Sequence, residues 1–441
     1  MKIFISVLFV VICFLLTPAT SVFFAQSPGT FLAYDGNPVL QGNMDRWDSG
    51  ITFTPRVILF NDTLYLFYTG SENITTLPSA IGFATSTDGY SFAKSNSNPV
   101  LEADRVGFDA YALSDPVVFR DGSSWLMYYG AKASTTAGPG DCIGRATATT
   151  LKGPWSRLEN FVLSVGTSGE WDDGFVVPNA ILKVDTGYIM YYSGSNMEWP
   201  DGYWQVGMAF SSDGISWTKY NNPATGGDSD PVLAVGPAGM WDAQVAWECC
   251  VLKTNNGYEM FYSGWNNTVY GIGYATSTDG IQWTKYELNP IFTKLDDPYV
   301  AGNSSAGFEI PAVIVFNSTY FMYYDYGPTI GKIGLATSVI ANSMEPINDV
   351  QVPKSFLLEQ NYPNPFNPVT MINYQLPMNN EVELSIYSLL GQKVATLVSE
   401  YQNAGYYNVQ WDASGFASGV YFYRIVTDNG FSNTKKLILL K

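Results

Sequence analysis

Three carboxylates stand where a repeated pattern of this chain otherwise carries apolar or hydroxyl residues. Asp115 precedes a proline at a position that other copies fill with Thr, Val or Ile. Glu248 aligns with the proline itself in a copy that lacks one, and Glu309 stands two residues before Pro311. Carboxyl groups brought together raise one another's pKa, so one of them can donate a proton near neutral pH. The sequence therefore predicts paired-carboxylate acid/base chemistry, the equipment of glycoside hydrolysis.

A second set of aspartates follows an aromatic residue six or seven positions ahead of each strand entry. Because this set recurs in four copies, a structural role explains it best, although single members could line a pocket. Asp48 and Glu309 are the candidates to complete the catalytic pair, and the other members are candidate substrate-binding residues. The set consists of Asp48, Asp109, Asp172 and Asp242.

Trp247 and Trp265 are candidate platforms for a sugar ring, because an indole face can stack on a sugar. The alternative is that these side chains, like Trp204, pack between repeats. An isolated carboxylate likewise often caps a loop or accepts backbone N–H bonds. For Asp115 and Glu248 taken together, we favour function.

Composition excludes several kinds of chemistry. The chain has no histidine, which rules out Ser/His/Asp and Cys/His catalysis and His-based zinc sites. It has no glycine-rich phosphate loop, and no cofactor is implied. The formal net charge of −17 argues against nucleic acid as a partner and favours a neutral polymer such as a carbohydrate. A structural calcium ion is left open.

The strands that must position these residues belong to a sequence repeat. Five copies contain a short apolar strand, usually led by proline, and then a second strand that ends in tyrosine. The runs are rich in Val, Ile, Tyr and Phe and are broken by turn residues, which is typical of strands. The period fits four strands with long loops, so we predict an all-β fold, a five-bladed β-propeller. The closing tyrosines are Tyr68, Tyr129, Tyr192, Tyr262 and Tyr324.

The fifth copy lacks an outer strand of its own, and the N-terminus supplies a candidate. The segment 31–40 matches the segment 283–292 in register. An unpaired outer edge would invite aggregation. We therefore predict that residues 31–40 form the outer strand of the fifth blade and close the ring.

The N-terminus itself reads as a secretory signal peptide, residues 1–25, with Lys2 ahead of an apolar run. No later run is long enough to predict a membrane span in the mature chain. The three remaining cysteines offer no disulfide framework. Adjacent Cys249 and Cys250 could be reduced or bonded.

The C-terminal part follows a different pattern. After a propeller over 26–340 and a linker over 341–353, alternating strands predict a small immunoglobulin-like β-sandwich over 354–441. The segment 356–368, together with 390–394 and the ending 435–441, closely resembles the type IX secretion C-terminal sorting domain. The resemblance implies that the type IX machinery exports the chain across a bacterial outer membrane, to the cell surface or the medium.

The repeat region resembles the five-bladed propeller glycosidases of families 43, 32 and 130. Ser114-Asp115-Pro116 is similar to their second-blade Asp-Pro element, and Trp247-Glu248-Cys249 to the Glu-Cys element that supplies the acid/base of the fructosidases. The resemblance implies an exported glycosidase with Glu248 as acid/base. Where those enzymes carry a blade-one aspartate, this chain has Thr54. A non-catalytic glycan-binding propeller is the alternative, and a phosphorylase is less favoured because no basic cluster is evident.

Overall fold

A computed structural model describes residues 28–43, 46–72, 79–133, 142–196, 202–301, 309–326, 331–339, 355–358, 360–361, 364–402 and 405–440. Every regular element within these ranges is a β-strand. Chain contacts divide the protein into two compact units, Met1–Pro346 and Ile347–Lys441. The expected signal peptide over 1–25 and linker over 341–353 lie outside the described residues.

The first unit contains five antiparallel sheets, each built from consecutive strands of one sequence copy. Two short strands precede them, β1 (Leu32–Ala33) and β2 (Leu40–Gln41). Sheet I consists of β3 (Ile51–Phe60), β4 (Thr63–Ser71), β5 (Ala80–Ser86) and β6 (Ala93–Lys94). Sheet II consists of β7 (Ala112–Asp121), β8 (Ser124–Lys132), β9 (Cys142–Ala148), β10 (Ser156–Arg157) and β11 (Leu163–Ser164).

The remaining three sheets repeat this order. Sheet III consists of β12 (Phe175–Val184), β13 (Gly187–Ser195), β14 (Trp204–Ser211), β15 (Thr218–Lys219) and β16 (Pro231–Leu233). Sheet IV consists of β17 (Val245–Thr254), β18 (Gly257–Trp265), β19 (Tyr270–Ser277), β20 (Thr284–Lys285) and β21 (Phe292–Thr293). Sheet V consists of β22 (Glu309–Phe316), β23 (Thr319–Asp325) and β24 (Lys332–Val339).

The first strands of the five sheets are neighbours in cyclic order. Strand β3 contacts β7, β7 contacts β12, β12 contacts β17, β17 contacts β22, and β22 contacts β3. Within the described ranges these strands do not hydrogen-bond into one closed sheet, and the ladder link between consecutive sheets is a parallel bridge from β14 to β17. The five first strands therefore surround a common centre.

Each junction between neighbouring sheets holds its own hydrophobic cluster. The cluster between sheets I and II contains Phe67 and Met127, and the cluster between sheets IV and V contains Phe261 and Met322. Three further clusters lie at the other junctions. Because each sheet buries both faces in this way, the strand sequences are continuous apolar runs and do not alternate strictly between apolar and polar residues.

The N-terminal segment pairs with the edge of sheet V, which confirms it as the outer strand of that sheet. Leu32 pairs with Thr337 and Leu40 pairs with Ile333, both on the edge strand β24. The side chain of Asn37 bridges the same strand, donating to the Leu335 carbonyl (3.0 Å) and accepting the Leu335 N–H (2.8 Å). The equivalent strand of sheet IV makes the same bridge, so the match between 31–40 and 283–292 holds in register.

The second unit is formed by two antiparallel sheets. The first contains β25 (Leu357–Leu358), β26 (Val369–Leu376) and β29 (Gly405–Asp412). The second contains β27 (Asn380–Ser388), β28 (Lys393–Gln402), β30 (Gly419–Thr427) and β31 (Ser432–Leu439). Both sheets contribute to one buried cluster, which includes Ile372, Trp411, Leu384 and Tyr423. The immunoglobulin-like assignment stays a prediction.

Candidate active site

A backbone irregularity interrupts the first strand of every sheet in its N-terminal half. Four residues there have φ values in the left-handed region: Thr54 (48°), Asp115 (50°), Glu248 (38°) and Ile310 (55°). In sheet III the irregularity falls at Asn179. Positive φ is uncommon for residues other than glycine and is costly for a β-branched residue such as Ile310. Because residues of different chemistry share it, this conformation belongs to the repeat and is not by itself a sign of catalysis.

The freed backbone N–H of each positive-φ residue is bound by the preceding sheet. The acceptor is always the residue that follows the closing tyrosine. Asp115 donates to Thr69 Oγ1 (3.2 Å), Glu248 to Ser193 Oγ (2.7 Å), Ile310 to Ser263 Oγ (2.8 Å) and Thr54 to Asp325 Oδ2 (3.0 Å). These hydrogen bonds satisfy the buried donors and so offset part of the conformational strain of the bulges.

These bonds correct the sequence alignment of Glu248 by one residue. We expected Glu248 to take the place of the proline, but its φ and its bond to Ser193 make it the equivalent of Asp115. Cys249 takes the place of the proline. The error arose because nothing in the sequence of this copy marks the bulged position. The correction strengthens the pairing of Asp115 with Glu248, because both now occupy the same position in two different sheets.

Glu248 is 2% exposed and is held by two donors. Its Oε2 accepts hydrogen bonds from Arg56 Nη2 (3.1 Å) and from Asn179 Nδ2 (2.9 Å). Burial raises the pKa of Glu248 well above its usual value, and the neighbouring charge of Asp115 raises it further, against the opposing effect of Arg56. These effects favour the protonated form of the side chain.

Asp115 is 4% exposed, and its Oδ1 has no hydrogen-bond partner among the described residues. Burial raises the pKa of this carboxyl, while Arg56 and a hydrogen bond from Ser114 lower it. A buried polar atom without a partner costs stability, so it calls for an explanation. A ligand hydroxyl or water at the centre would provide the missing partner.

Arg56 and Asn179 belong to this site and were missed from the sequence. Arg56 donates to the Asn179 carbonyl (3.2 Å), the Pro55 carbonyl (2.9 Å) and Glu248. Asn179 accepts from Ser193 Oγ (2.7 Å) through its own Oδ1. Both residues follow the proline of their copies, where other copies have Val or Ala. The search for exceptions to the repeat could have found them at that position.

The second set of aspartates makes one repeated arrangement. In each of four sheets the aspartate accepts the hydroxyl of the closing tyrosine and pairs with a cation from the fourth strand. The tyrosine bonds join Asp48 to Tyr68, Asp109 to Tyr129, Asp172 to Tyr192 and Asp242 to Tyr262, at 2.9 to 3.0 Å. The cations are Lys94, Arg157, Lys219 and Lys285. Asp48 thus has the same environment as the other three.

The candidate tryptophans are partly exposed and contact other aromatic rings. Trp247 packs edge-on against Trp204, with ring centroids 4.5 Å apart, and lies 6.5 Å from Phe175. Trp265 stacks on Tyr270 at 5.1 Å. Trp247 directly precedes Glu248 in the chain.

Four other expectations concern Glu309, the adjacent cysteines, a bound metal ion and a membrane span. Glu309 begins β22 opposite Asp325, and its side chain lies outside the described part of the chain. Cys249 and Cys250 are free thiols packed on opposite faces of their strand, in different clusters. Among the described residues, no group of three or more Cys, Asp or Glu is arranged to hold a metal ion. The described residues also contain no helix long and apolar enough to span a membrane.

Comparison with known families identifies both units. The model of glycoside hydrolase family 130, described as beta-1,4-mannooligosaccharide phosphorylase, matches residues 41–273. The chain belongs to this family of glycoside phosphorylases and hydrolases. Residues 360–440 match the secretion system C-terminal sorting domain. That domain directs export by type IX secretion to the cell surface or the medium.

Individual relatives are distant. An uncharacterized protein of Mycobacterium tuberculosis is 24% identical over 251 residues, which cover 55% of this chain and 78% of the relative. A family 130 structure from work on hydrolases that target beta-1,2 mannosidic linkages in Candida mannan is 19% identical, with a TM-score of 0.56, covering 73% of this chain and 96% of that one. A glycosyl hydrolase from Bacteroides ovatus is 21% identical, with a TM-score of 0.56 and coverages of 73% and 97%.

A beta-1,2-mannobiose phosphorylase from Listeria innocua is 16% identical, with a TM-score of 0.50, covering 70% of this chain and 97% of that one. At these identities the structural likeness supports the fold alone. Similar folds thus occur in proteins named as hydrolases and in a protein named as a phosphorylase. The fold therefore does not determine the reaction, which depends on the residues of the site.

Proposed function

We propose that this protein is an exported glycoside hydrolase that cleaves mannosidic linkages in oligo- or polysaccharide. Glu248 is the general acid/base, and Asp115 orients it or holds sugar hydroxyls. The main support is that these two carboxylates, from two different sheets, are buried together beside Arg56. Asp115 Oδ1 has no hydrogen-bond partner there among the described residues. The cyclic contacts of the first strands support a five-bladed β-propeller as the frame.

Membership of family 130 supports a mannoside as substrate, and the sorting domain supports action outside the cell. The protein meets its substrate at the cell surface or in the medium. Trp247, which precedes Glu248 in the chain and is partly exposed, is suited to packing against a sugar ring. We propose that Asp48, Asp109, Asp172 and Asp242 serve the framework, because their contacts recur in every one of these four sheets.

Phosphorolysis is the second candidate, favoured by the description of the family model. It requires a phosphate dianion next to the bond that breaks, and phosphate binding favours clustered arginine and lysine. Arg56 is the cation that acts on both carboxyls among the described residues, and three of its N–H groups are already engaged. The local balance of charge therefore favours water as the attacking group.

The test measures products from the mature protein incubated with beta-1,4- and beta-1,2-linked mannooligosaccharides, with and without inorganic phosphate. Free mannose formed without phosphate supports hydrolysis, whereas mannose 1-phosphate formed only with phosphate identifies a phosphorylase. Asp115→Asn and Glu248→Gln should lower turnover by about 10²–10⁴-fold. Glu287→Gln, a change at an exposed carboxylate, is the control and should leave it unchanged.

If Glu248→Gln hydrolyses a confirmed substrate at the wild-type rate, the proposed acid/base is wrong. If the wild-type protein binds mannooligosaccharides but turns none over, with or without phosphate, the protein is a glycan-binding propeller.

A further inference from the structure

The residue that follows the closing tyrosine has a defined task in this fold, and one copy departs from the rest. The five residues at this position are Thr69, Gly130, Ser193, Ser263 and Asp325. Four are small and uncharged. Sheet V alone places a carboxylate there, and Asp325 is 1% exposed.

A hydroxyl is sufficient for the structural task. Thr69, Ser193 and Ser263 each accept the N–H of the positive-φ residue in the next sheet through a side-chain oxygen. Asp325 Oδ2 makes the same bond to Thr54, at 3.0 Å. Gly130, which has no side chain, leaves room for Val177, whose Cγ1 would lie 2.8 Å from an added Cβ. Burying a carboxylate is much more costly than burying a hydroxyl, and the hydroxyls of the other sheets show that binding this N–H does not require a carboxylate.

The position of Asp325 connects it to the carboxylate site. It holds the backbone of Thr54, whose Oγ1 accepts the N–H of Asp115 (3.3 Å) and lies 2.5 Å from Thr69 Oγ1. The negative charge of Asp325 also contributes to the raised pKa of Glu248. Asp325 therefore lies within electrostatic range of Glu248, and it binds the N–H of Thr54, the uncharged positive-φ residue of the neighbouring sheet I.

We propose that Asp325 is the third carboxylate of the site and acts as its base, in the place that Thr54 leaves without an acidic side chain. This inference rests on the proposed hydrolysis. Asp325 accepts a proton from water while the water oxygen bonds to the anomeric carbon. The bond from that carbon to the glycosidic oxygen breaks, and protonated Glu248 gives its proton to that oxygen. One water is consumed, two sugars leave, and a proton returns from Asp325 to Glu248 through solvent.

The test compares Asp325→Ser with wild type in the mature protein. Serine is the residue that two other sheets use to bind the equivalent N–H, so the backbone bond is retained while the carboxylate is lost. We expect kcat/KM for mannoside hydrolysis to fall by about 10²–10⁴-fold, with a melting temperature equal to or above that of wild type. Ser263→Ala removes the equivalent bond to Ile310, a positive-φ residue without a carboxylate, and should leave kcat/KM within about threefold.

Chemical rescue separates catalysis from structure. In Asp325→Ala, sodium azide or formate should restore turnover in a concentration-dependent way, because a small anion can enter the vacated space and replace the base. The proposal is overturned if Asp325→Ser retains kcat/KM within threefold while Glu248→Gln is inactive, or if neither anion restores turnover to a folded Asp325→Ala protein. Should Asp325→Ser not fold, Asp325→Asn takes its place under the same criteria.

Failure of this inference is distinguishable from failure of the proposed function. If Glu248→Gln and Asp325→Ser both keep wild-type hydrolysis, the carboxylate site itself is wrong. If the protein is a phosphorylase whose rate is unchanged by Asp325→Ser, the site stands but Asp325 is not its base, because phosphate needs no base to attack.

Discussion

The seating of the N-terminal strand on sheet V can be tested through a single side chain. Phe31 is 3% exposed and contacts the rings of Phe261 and Tyr320, with centroids 6.0 and 6.3 Å away. Replacing a buried phenylalanine by alanine costs about 3–5 kcal/mol, because the transfer free energy is lost and a cavity remains. The strand lies at a sheet edge and can relax, so we expect the lower value, about 3 kcal/mol.

The neighbouring Leu32 provides the matched control, because its side chain is 68% exposed. Leu32→Ala should change the free energy of unfolding by less than about 0.5 kcal/mol. For a domain of this size, 1 kcal/mol corresponds to roughly 2 °C, so Phe31→Ala should lower the melting temperature of the mature protein by about 6 °C. Urea unfolding should give the same order with an unchanged m-value.

Equal effects of Phe31→Ala and Leu32→Ala would refute this reasoning. They would mean that residue 31 is not buried between sheets IV and V in solution, and that sheet V is closed by another part of the chain or left open at its edge.

Three further predictions concern charges and backbone bonds. Lys285→Met should destabilise the protein by about 2 kcal/mol in urea unfolding, because buried Asp242 loses its cation. Ser193→Ala should cost about 1–3 kcal/mol and also lower kcat, because it frees the backbone N–H of Glu248. Burial raises the pKa of Glu259, so the folded protein keeps a proton that the unfolded chain releases above its ordinary pKa of 4.5. Its contribution to stability is therefore full below that value and is lost as pH rises through the raised pKa, and Glu259→Gln should remove this loss from melting curves recorded between pH 4 and pH 8.

Each of these changes has a control in the same chain. Lys152→Met alters an exposed lysine and should not affect stability. Ser263→Ala should match Ser193→Ala in stability but not in kcat, and a similar loss of kcat would show that the effect is general. Glu287→Gln should leave the pH dependence of melting unchanged. An unaltered pH dependence in Glu259→Gln would mean that this carboxyl is not buried in solution.

Much of the fold could be predicted because it is repeated in the sequence. Five copies of one strand pattern indicate five sheets, and the match of 31–40 to 283–292 identifies the strand that completes the last one. Local chemistry sufficed here, since each strand pairs with its neighbour along the chain. The long-range pairing of the N-terminal segment with sheet V was predictable because that segment still resembles the other copies.

The candidate site was predicted only in part. Asp115 and Glu248 stood out as exceptions to the repeat, and both are buried beside Arg56. The alignment of Glu248 was one residue off, because a β-bulge shifts the pairing without leaving a mark in the sequence. Asp325 was missed because it follows a closing tyrosine, far from the strand entries that were compared.

The sequence alone determined the all-β class, the number of copies, the sorting domain and the kind of chemistry available, because these depend on composition and on patterns within short segments. The tertiary structure decided which carboxylates meet. Asp115, Glu248 and Asp325 lie in three different sheets, separated by more than 60 residues along the chain, and their proximity depends on the cyclic packing of the first strands. Their burial and mutual repulsion, which raise the pKa of Glu248, exist only once that packing has formed.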